Sequence, residues 1–207
     1  MDVYLIRHGE TDGNVAKRHQ HDETDINEIG TAQAKTLAKV IKKINPTHIV
    51  TSTNLRAVET AKIIIANCEL DLIPETNNSF EEIRRPNWLI GSSHFSLLSA
   101  RYMWHWFFDY KLKGEMETYT PFIDRIIKAR QYLETFPEEA KVVVISHSVF
   151  INIFLEHLCT NKKMSFLRAI KRLWKVFKMP NTGIIHLRHI HTENSCRWEI
   201  LEGEKVR

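Results

Sequence analysis

Residues 3–11 read VYLIRHGET, an apolar run from Val3 to Ile6 that stops abruptly at Arg7, His8 and Gly9. Such a run fits a buried strand feeding a turn. Residues 142–148 repeat the arrangement. Four β-branched residues, Val142 to Ile145, lead into Ser146, His147 and Ser148, then into Val149 to Leu158, which is apolar almost all round. That second segment is predicted as a helix buried on most sides. Between the two strands, Ala34, Leu37, Ala38, Ile41 and Ile44 keep helical spacing within Glu28 to Ile44. Asn27 is the expected N-cap of this helix, and Asn45-Pro46 ends it. His48 to Thr51 reads as a second strand, Ser52 and Thr53 as caps of a helix reaching about Ala66, and Asp71 to Ile73 as a weak third strand. Tyr119 to Phe136 reads as a further helix, and Gly183 to Leu187 and Trp198 to Leu201 as two late strands. The alternation predicts an α/β fold, a three-layer sandwich with a mostly parallel sheet flanked by helices, and residues 1–207 as one domain. Ligands of such sheets sit at the carboxyl ends of the strands. Residues 88–118 break the alternation and read as a helical insertion between the third and fourth strands. They carry Trp88, Tyr102, Trp104, Trp106, Phe107, Phe108 and Tyr110, which are expected to bury the insertion's own small core rather than to cover a pocket.

Composition narrows the function classes. At 207 residues, 43% hydrophobic and 26% charged, the chain is long enough to hide roughly 70% of its unfolded surface. Seven Gly and six Pro exclude collagen-like and low-complexity readings. No run approaches the apolar length of a membrane span. A net charge of +4 suits a small anionic substrate as well as a nucleic acid. Cys68, Cys159 and Cys196 form no recognisable framework, and free thiols in a reducing compartment are expected. The first residues lack a basic region followed by a long apolar stretch, so a cytoplasmic protein is expected.

Three strand ends carry the residues a phosphate site needs. The first supplies Arg7 and His8 with Asn14 beyond them, the second leads to Ser52 and Arg56, and the fourth ends in Ser146-His147-Ser148. Arg56 and His147 fall at or near the start of a helix, where free N–H groups and the helix dipole favour an anion. Arginine forks match phosphate oxygens, and histidines can supply a nucleophile and a hydrogen-bond donor.

Arg7-His8-Gly9-Glu10-Thr11 resembles the signature of the histidine phosphatase superfamily, in its branch with the phosphoglycerate mutases. Other motifs follow in the same order. Asn14 falls after the signature. Ile26, Gly30, Gln33 and Ala34 resemble the first long helix, and Ser52, Leu55, Arg56, Ala57, Thr60 and Ala61 the second-arginine motif. Ser146-His147 resembles the second-histidine motif, and Asn181 with Gly183 the approach to a late strand. The resemblance spans most of the chain but not residues 88–118. It implies that His8 is the nucleophile and that Arg7, Arg56 and His147 surround the phosphoryl oxygens, with Asn14 adding a hydrogen bond. It further implies a carboxylate after the third strand as proton donor. Glu82 is the aligned acid and Glu81 its competitor. On this reading no metal and no cofactor is needed, because fixed cations oppose the developing charge. The arginines are expected to lower the His8 pKa. The implied partner is a small phosphorylated substrate, with no nucleic acid expected. Phosphoglycerate mutase-type transfer and a non-catalytic phosphate-binding protein are the alternatives.

Several positions depart from the family pattern. His21 stands in a loop where glycines are common, Ser148 follows His147 in place of Gly, and Gly13 precedes Asn14 where mutases carry Trp. Arg84 and Arg85 could hold a second anionic group on the substrate or be ordinary surface arginines. His48, His94, His105, His157, His186, His189 and His191 have no motif support and are expected in structural or surface roles, while His19 and His21 stay open. Residues 162–178, KKMSFLRAIKRLWKVFK, read as a basic amphipathic helix. Its apolar face is expected to pack on the core with its basic side in solvent. Peripheral contact with anionic lipid and attraction of a phosphorylated substrate are the other readings.

Overall fold

The computed structural model describes residues 1–110, 116–190 and 197–201. Among them, β1 (Asp2–Arg7), β2 (His48–Thr51), β3 (Glu75–Thr76), β4 (Lys141–Ser146), β5 (Ile184–His189) and β6 (Trp198–Leu201) form one sheet in the order β3-β2-β4-β1-β5-β6. β3, β2, β4 and β1 pair in parallel, whereas β5 and β6 add antiparallel strands beyond β1. The four parallel strands therefore end on the same edge of the sheet, and Arg7-His8, Ser52 and Ser146-His147 lie at or just beyond that edge.

The period of two along the central strands divides the core into two layers. Val3 and Leu5 of β1 and Val142 and Val144 of β4 pack with Phe122, Ile126, Phe150 and Phe154. These aromatic and aliphatic partners come from α5 (Tyr119–Leu133) and α6 (Ser148–Glu156). Ile6, Val143 and Ile145 face the other way and pack with Leu37, Ile41 and Ile64. Those residues belong to α2 (Glu28–Ile44) and α3 (Leu55–Cys68). Each such fully buried side chain contributes roughly 1.5–3 kcal/mol. Asn27 caps α2 by accepting from the Gly30 amide at 2.8 Å, and Asn45, in the left-handed region, closes it.

Two glycines let the loop after β1 rest on the first turn of α2. A Cβ on Gly30 would stand 2.3 Å from the Glu10 carbonyl oxygen, and one on Gly9 would stand 2.8 Å from the Gly30 oxygen. Neither backbone atom can move aside cheaply, so only glycine permits this approach. The loop that carries His8 is thereby clamped to a rigid helix.

Four local expectations are corrected. The third strand lies at Glu75–Thr76 rather than Asp71 to Ile73, and Ile73 is 92% exposed. An apolar residue in an edge segment need not point inward. α3 starts at Leu55 after Asn54, with no side-chain cap bond, because Ser52 is committed elsewhere. The insertion forms α4 (Leu97–Phe107), but Tyr102, Trp106 and Phe107 join the main core layer instead of a core of their own. Cys68 is a buried free thiol, while Cys159 is disulfide-bonded; distance along the chain does not set the distance between sulfurs. Cys196 and His191 lie outside the described residues.

The basic segment folds as α7 (Phe166–Lys178), yet its apolar side is not packed away as expected. Ala169 and Val176 are buried, whereas Leu167, Ile170, Trp174 and Phe177 are exposed. Among its described side chains, Ala169 and Val176 meet the body of the protein, while Leu167, Ile170, Trp174 and Phe177 form an exposed apolar arc.

Candidate active site

β1 ends at Arg7, and His8 follows it, 4% exposed. The His8 Nδ1 lies 2.7 Å from the Gly9 carbonyl oxygen. A carbonyl can only accept, so Nδ1 carries the proton and Nε2 keeps its lone pair. Thr60 holds the loop by accepting from the Gly9 amide at 3.0 Å, and Gln33 accepts from the Glu10 amide at 3.0 Å. Thr11 and Asn14 form a reciprocal capping box on the short helix α1 (Asp12–Val15). Asn181 donates to the His8 carbonyl at 3.1 Å and to Asn14 Oδ1 at 3.0 Å, which ties the β1 loop to the segment before β5.

His147 follows β4 and is fully buried, its ring centroid 5.1 Å from that of His8. Its Nε2 lies 2.8 Å from Ser52 Oγ, and Ser52 Oγ lies 2.8 Å from Asn54 Oδ1. The Ser52 hydroxyl can donate to either, and its rotation therefore selects the imidazole tautomer. Arg56, 3% exposed in the first turn of α3, donates to the His21 carbonyl at 2.9 Å. Arg7 donates to the Met179 carbonyl.

The two candidate acids part company. Glu82 is buried, and its carboxylate accepts from the amides of Ile83 at 3.1 Å, Val149 at 3.2 Å and Phe150 at 3.2 Å. Two of those donors are free amides at the start of α6. Glu81 turns away, accepts from Thr53 and is salt-bridged to Arg84 at 2.8 Å. Arg84 is thus a surface arginine, whereas Arg85 lines the cavity.

Arg7, His8, Asn14, Arg56 and Glu82 share the wall of a cavity of about 600 Å³, whereas His147, its ring 5.1 Å from that of His8, does not line it. His19, His94, Phe95 and Tyr102 also line it, as do Phe177 and Lys178 from the end of α7. His94, read as structural or surface, is a wall residue instead: the insertion folds back over the strand edge, which no local pattern encodes. His21 contributes its carbonyl, not its exposed ring. Four buried polar atoms among the cavity residues and His147 have no partner: Arg7 Nε, His19 Nδ1, Tyr102 Oη and His147 Nδ1. A buried polar atom without a partner calls for an explanation, and a polar ligand in the cavity supplies one for these atoms. Among the described residues, no cluster of three or more His, Cys, Asp or Glu side chains is arranged to hold a metal ion.

Burial first, then the charges of Arg56 and Arg7, hold the His8 pKa well below its ordinary value. The expected direction is thus found, with desolvation ahead of the arginines as cause. Burial and Arg56 do the same to His147. Burial brings Arg7 and Arg56 down to about 10, and both stay charged at neutral pH. His19 and His94 are lowered to about 3 and about 4, burial being the first cause and Arg85 the second.

This sets a stability profile. Below pH 6.5 the unfolded chain protonates these histidines while the folded chain does not, so the unfolded state binds more protons and stability falls as the pH is lowered. Each histidine that stays neutral contributes a loss of up to about 1.4 kcal/mol per pH unit. For His94 the loss levels off near pH 4. Urea unfolding at pH 7 and pH 5 is expected to show the decline, and His94→Gln to flatten it. An unchanged slope in that variant would refute the assignment.

The acid loop has a support that no motif announced. Arg125 of α5, itself buried, donates to the Glu81 carbonyl at 2.6 Å and the Glu82 carbonyl at 3.1 Å, and pairs at 2.6 Å with Glu117, whose side chain is only 8% exposed. Within its helix Arg125 reads as one more polar residue, and only the packing of α5 beneath the loop gives it this task.

A family model described as the histidine phosphatase superfamily (branch 1) matches residues 3–199. A probable phosphoglycerate mutase GpmB of Proteus mirabilis is 40% identical over 76 residues, 36% of this chain and 35% of that protein. The aligned stretch thus spans about a third of that curated relative. Among solved structures, a mycobacterial glucosyl-3-phosphoglycerate phosphatase in complex with VO3 is 22% identical, with 96% of each chain covered and a TM-score of 0.71. A phosphoserine phosphatase variant from Entamoeba histolytica in complex with phosphoserine is 21% identical over 98% of this chain and 95% of that one, at a TM-score of 0.72. At these identities the structural likeness establishes the fold.

Proposed function

The chain belongs to the histidine phosphatase superfamily, branch 1, and from that premise we propose that it is a metal-independent phosphatase hydrolysing a small phosphomonoester through a phosphohistidine on His8. The observation that carries the reading is the His8 tautomer: Nδ1–H is spent on the Gly9 carbonyl, which leaves the Nε2 lone pair in a buried cationic cavity. Nε2 forms a bond to phosphorus while the bond from phosphorus to the leaving oxygen breaks. Arg7, Arg56 and Asn14 bind the phosphoryl oxygens, and His147 donates from Nδ1 once the Ser52 hydroxyl turns to donate to its Nε2. Glu82 gives a proton to the leaving oxygen. A water then attacks phosphorus, the bond to Nε2 breaks, and Glu82 takes up the proton of that water. Held by three amides, its carboxyl needs no reorientation between the two steps. Residues 1–207 act as one catalytic unit in this reading.

Phosphoglycerate mutase-type transfer is the second reading, favoured by the similarity to GpmB. Incubation with each phosphoglycerate and with a panel of phosphorylated metabolites separates the two. Phosphate release without interconversion is the expected result, and rapid interconversion without release would establish the mutase.

Arg85 lines the cavity, close enough for its charge to act on Arg56 and His147, and has no ion pair among the described residues. Charge-assisted hydrogen bonds are worth about 1.5–3 kcal/mol. Arg85→Ala is therefore expected to raise KM roughly ten-fold or more for a substrate with a second anionic group, and to leave p-nitrophenyl phosphate turnover nearly unchanged. Equal effects on both substrates would remove Arg85 from substrate selection.

A further inference from the structure

We propose that the exposed face shared by α4 and α7 docks on an anionic lipid surface, with the mouth of the cavity opening at that face. On α7, Leu167, Ile170, Trp174 and Phe177 follow one another at steps of three or four residues and form a continuous arc. Leu167 is 72% and Trp174 66% exposed. α4 and the residue before its cap extend the arc: Trp104 of α4 packs its ring 5.7 Å from Phe166, and Phe95, just ahead of α4, packs 5.2 Å from Phe177. Single exposed apolar residues are ordinary, whereas a contiguous aromatic and aliphatic face is not. Phe95 and Phe177 also line the cavity, so the face and the mouth are one surface.

The occupant follows from charge. Lys171 and Lys178 flank the arc on its Leu167 side, with Lys175 next to them. Arg168 and Arg172 are paired with Glu156, but among the described residues these three lysines have no acidic partner. The sequence holds no Asp or Glu between Glu156 and Glu193. An apolar arc bordered by long basic side chains suits the boundary between anionic headgroups and acyl chains. A second copy of this chain suits it less where the two α7 helices pair antiparallel, since that two-fold interface would bring the lysines of both copies to the same rim. Among the described residues no helix is long and apolar enough to cross a membrane, so the contact is peripheral.

The test is co-sedimentation of the full chain with vesicles of phosphatidylcholine alone and of phosphatidylcholine with phosphatidylserine. Binding to the anionic vesicles, and much weaker binding to the neutral ones, is expected. Each lysine near an anionic surface contributes roughly a five-fold factor, so Lys171→Ala with Lys175→Ala is expected to lower the partition coefficient about twenty-five-fold. Leu167→Ser with Trp174→Ser is expected to abolish binding while thermal unfolding stays cooperative, which separates lost docking from lost folding. Failure to sediment with either vesicle, or equal sedimentation with both, would overturn the proposal. So would a lipid-free dimer in analytical ultracentrifugation that Leu167→Ser with Trp174→Ser dissolves, because the face would then belong to a second copy.

Discussion

His8→Ala is expected to lower kcat/KM for phosphate release by at least about a thousand-fold, since the variant loses the atom that bonds to phosphorus and must rely on positioning alone. The buried, neutral imidazole beside two guanidiniums has no substitute nearby, for the other close imidazole, His147, reaches Ser52 through its own Nε2. Rapid quench of the wild type with radiolabelled substrate is expected to trap an acid-labile, base-stable phosphoryl label that His8→Ala lacks. Glu82→Gln should retain that label and lengthen its life, because the second step needs a proton acceptor, and it should slow alkyl phosphates far more than p-nitrophenyl phosphate, whose leaving group needs no proton. If His8→Ala still turned over at near wild-type rate, the phosphohistidine reading would be lost.

The largest stability effect is expected at Arg125. Removing one partner of a buried ion pair costs about 3–5 kcal/mol because the other charge is left uncompensated. Arg125→Met leaves Glu117 in that state, and it also takes donors from the carbonyls of Ser79, Glu81 and Glu82. The urea midpoint should fall accordingly. Arg125→Met with Glu117→Gln should recover part of the loss, since the stranded charge is gone while the loop carbonyls remain without their donor. A single variant as stable as the wild type would show that water replaces the pair at little cost.

These two sites differ in how far they can be read from the chain. His8 and Arg7 sit at the end of a strongly apolar strand, and Arg56 and His147 at the start of helices, so local pattern alone locates them. Glu82 and Glu81 are neighbours that the pattern could only rank, and their side chains separate in space because one is caught by the start of α6 and the other by Arg84. Ser52 was legible as a residue but misread in role: a hydroxyl before a helix looks like a cap until a buried imidazole stands beside it. Arg125, His94 and Tyr102 act at the site through long-range packing, and nothing within a few residues of them signals it.

The sequence by itself determined the α/β alternation, the strands β1, β2 and β4 and the identity of the groups gathered at their ends, because burial periodicity and helix-terminus chemistry are local properties of a chain. Tertiary structure alone decided which carboxylate lies at the cavity, which of Arg84 and Arg85 faces it, and that the apolar arc of α7 stays in the open. Each of those outcomes depends on which remote surface a side chain meets, and a residue's own neighbours in the chain carry no record of that.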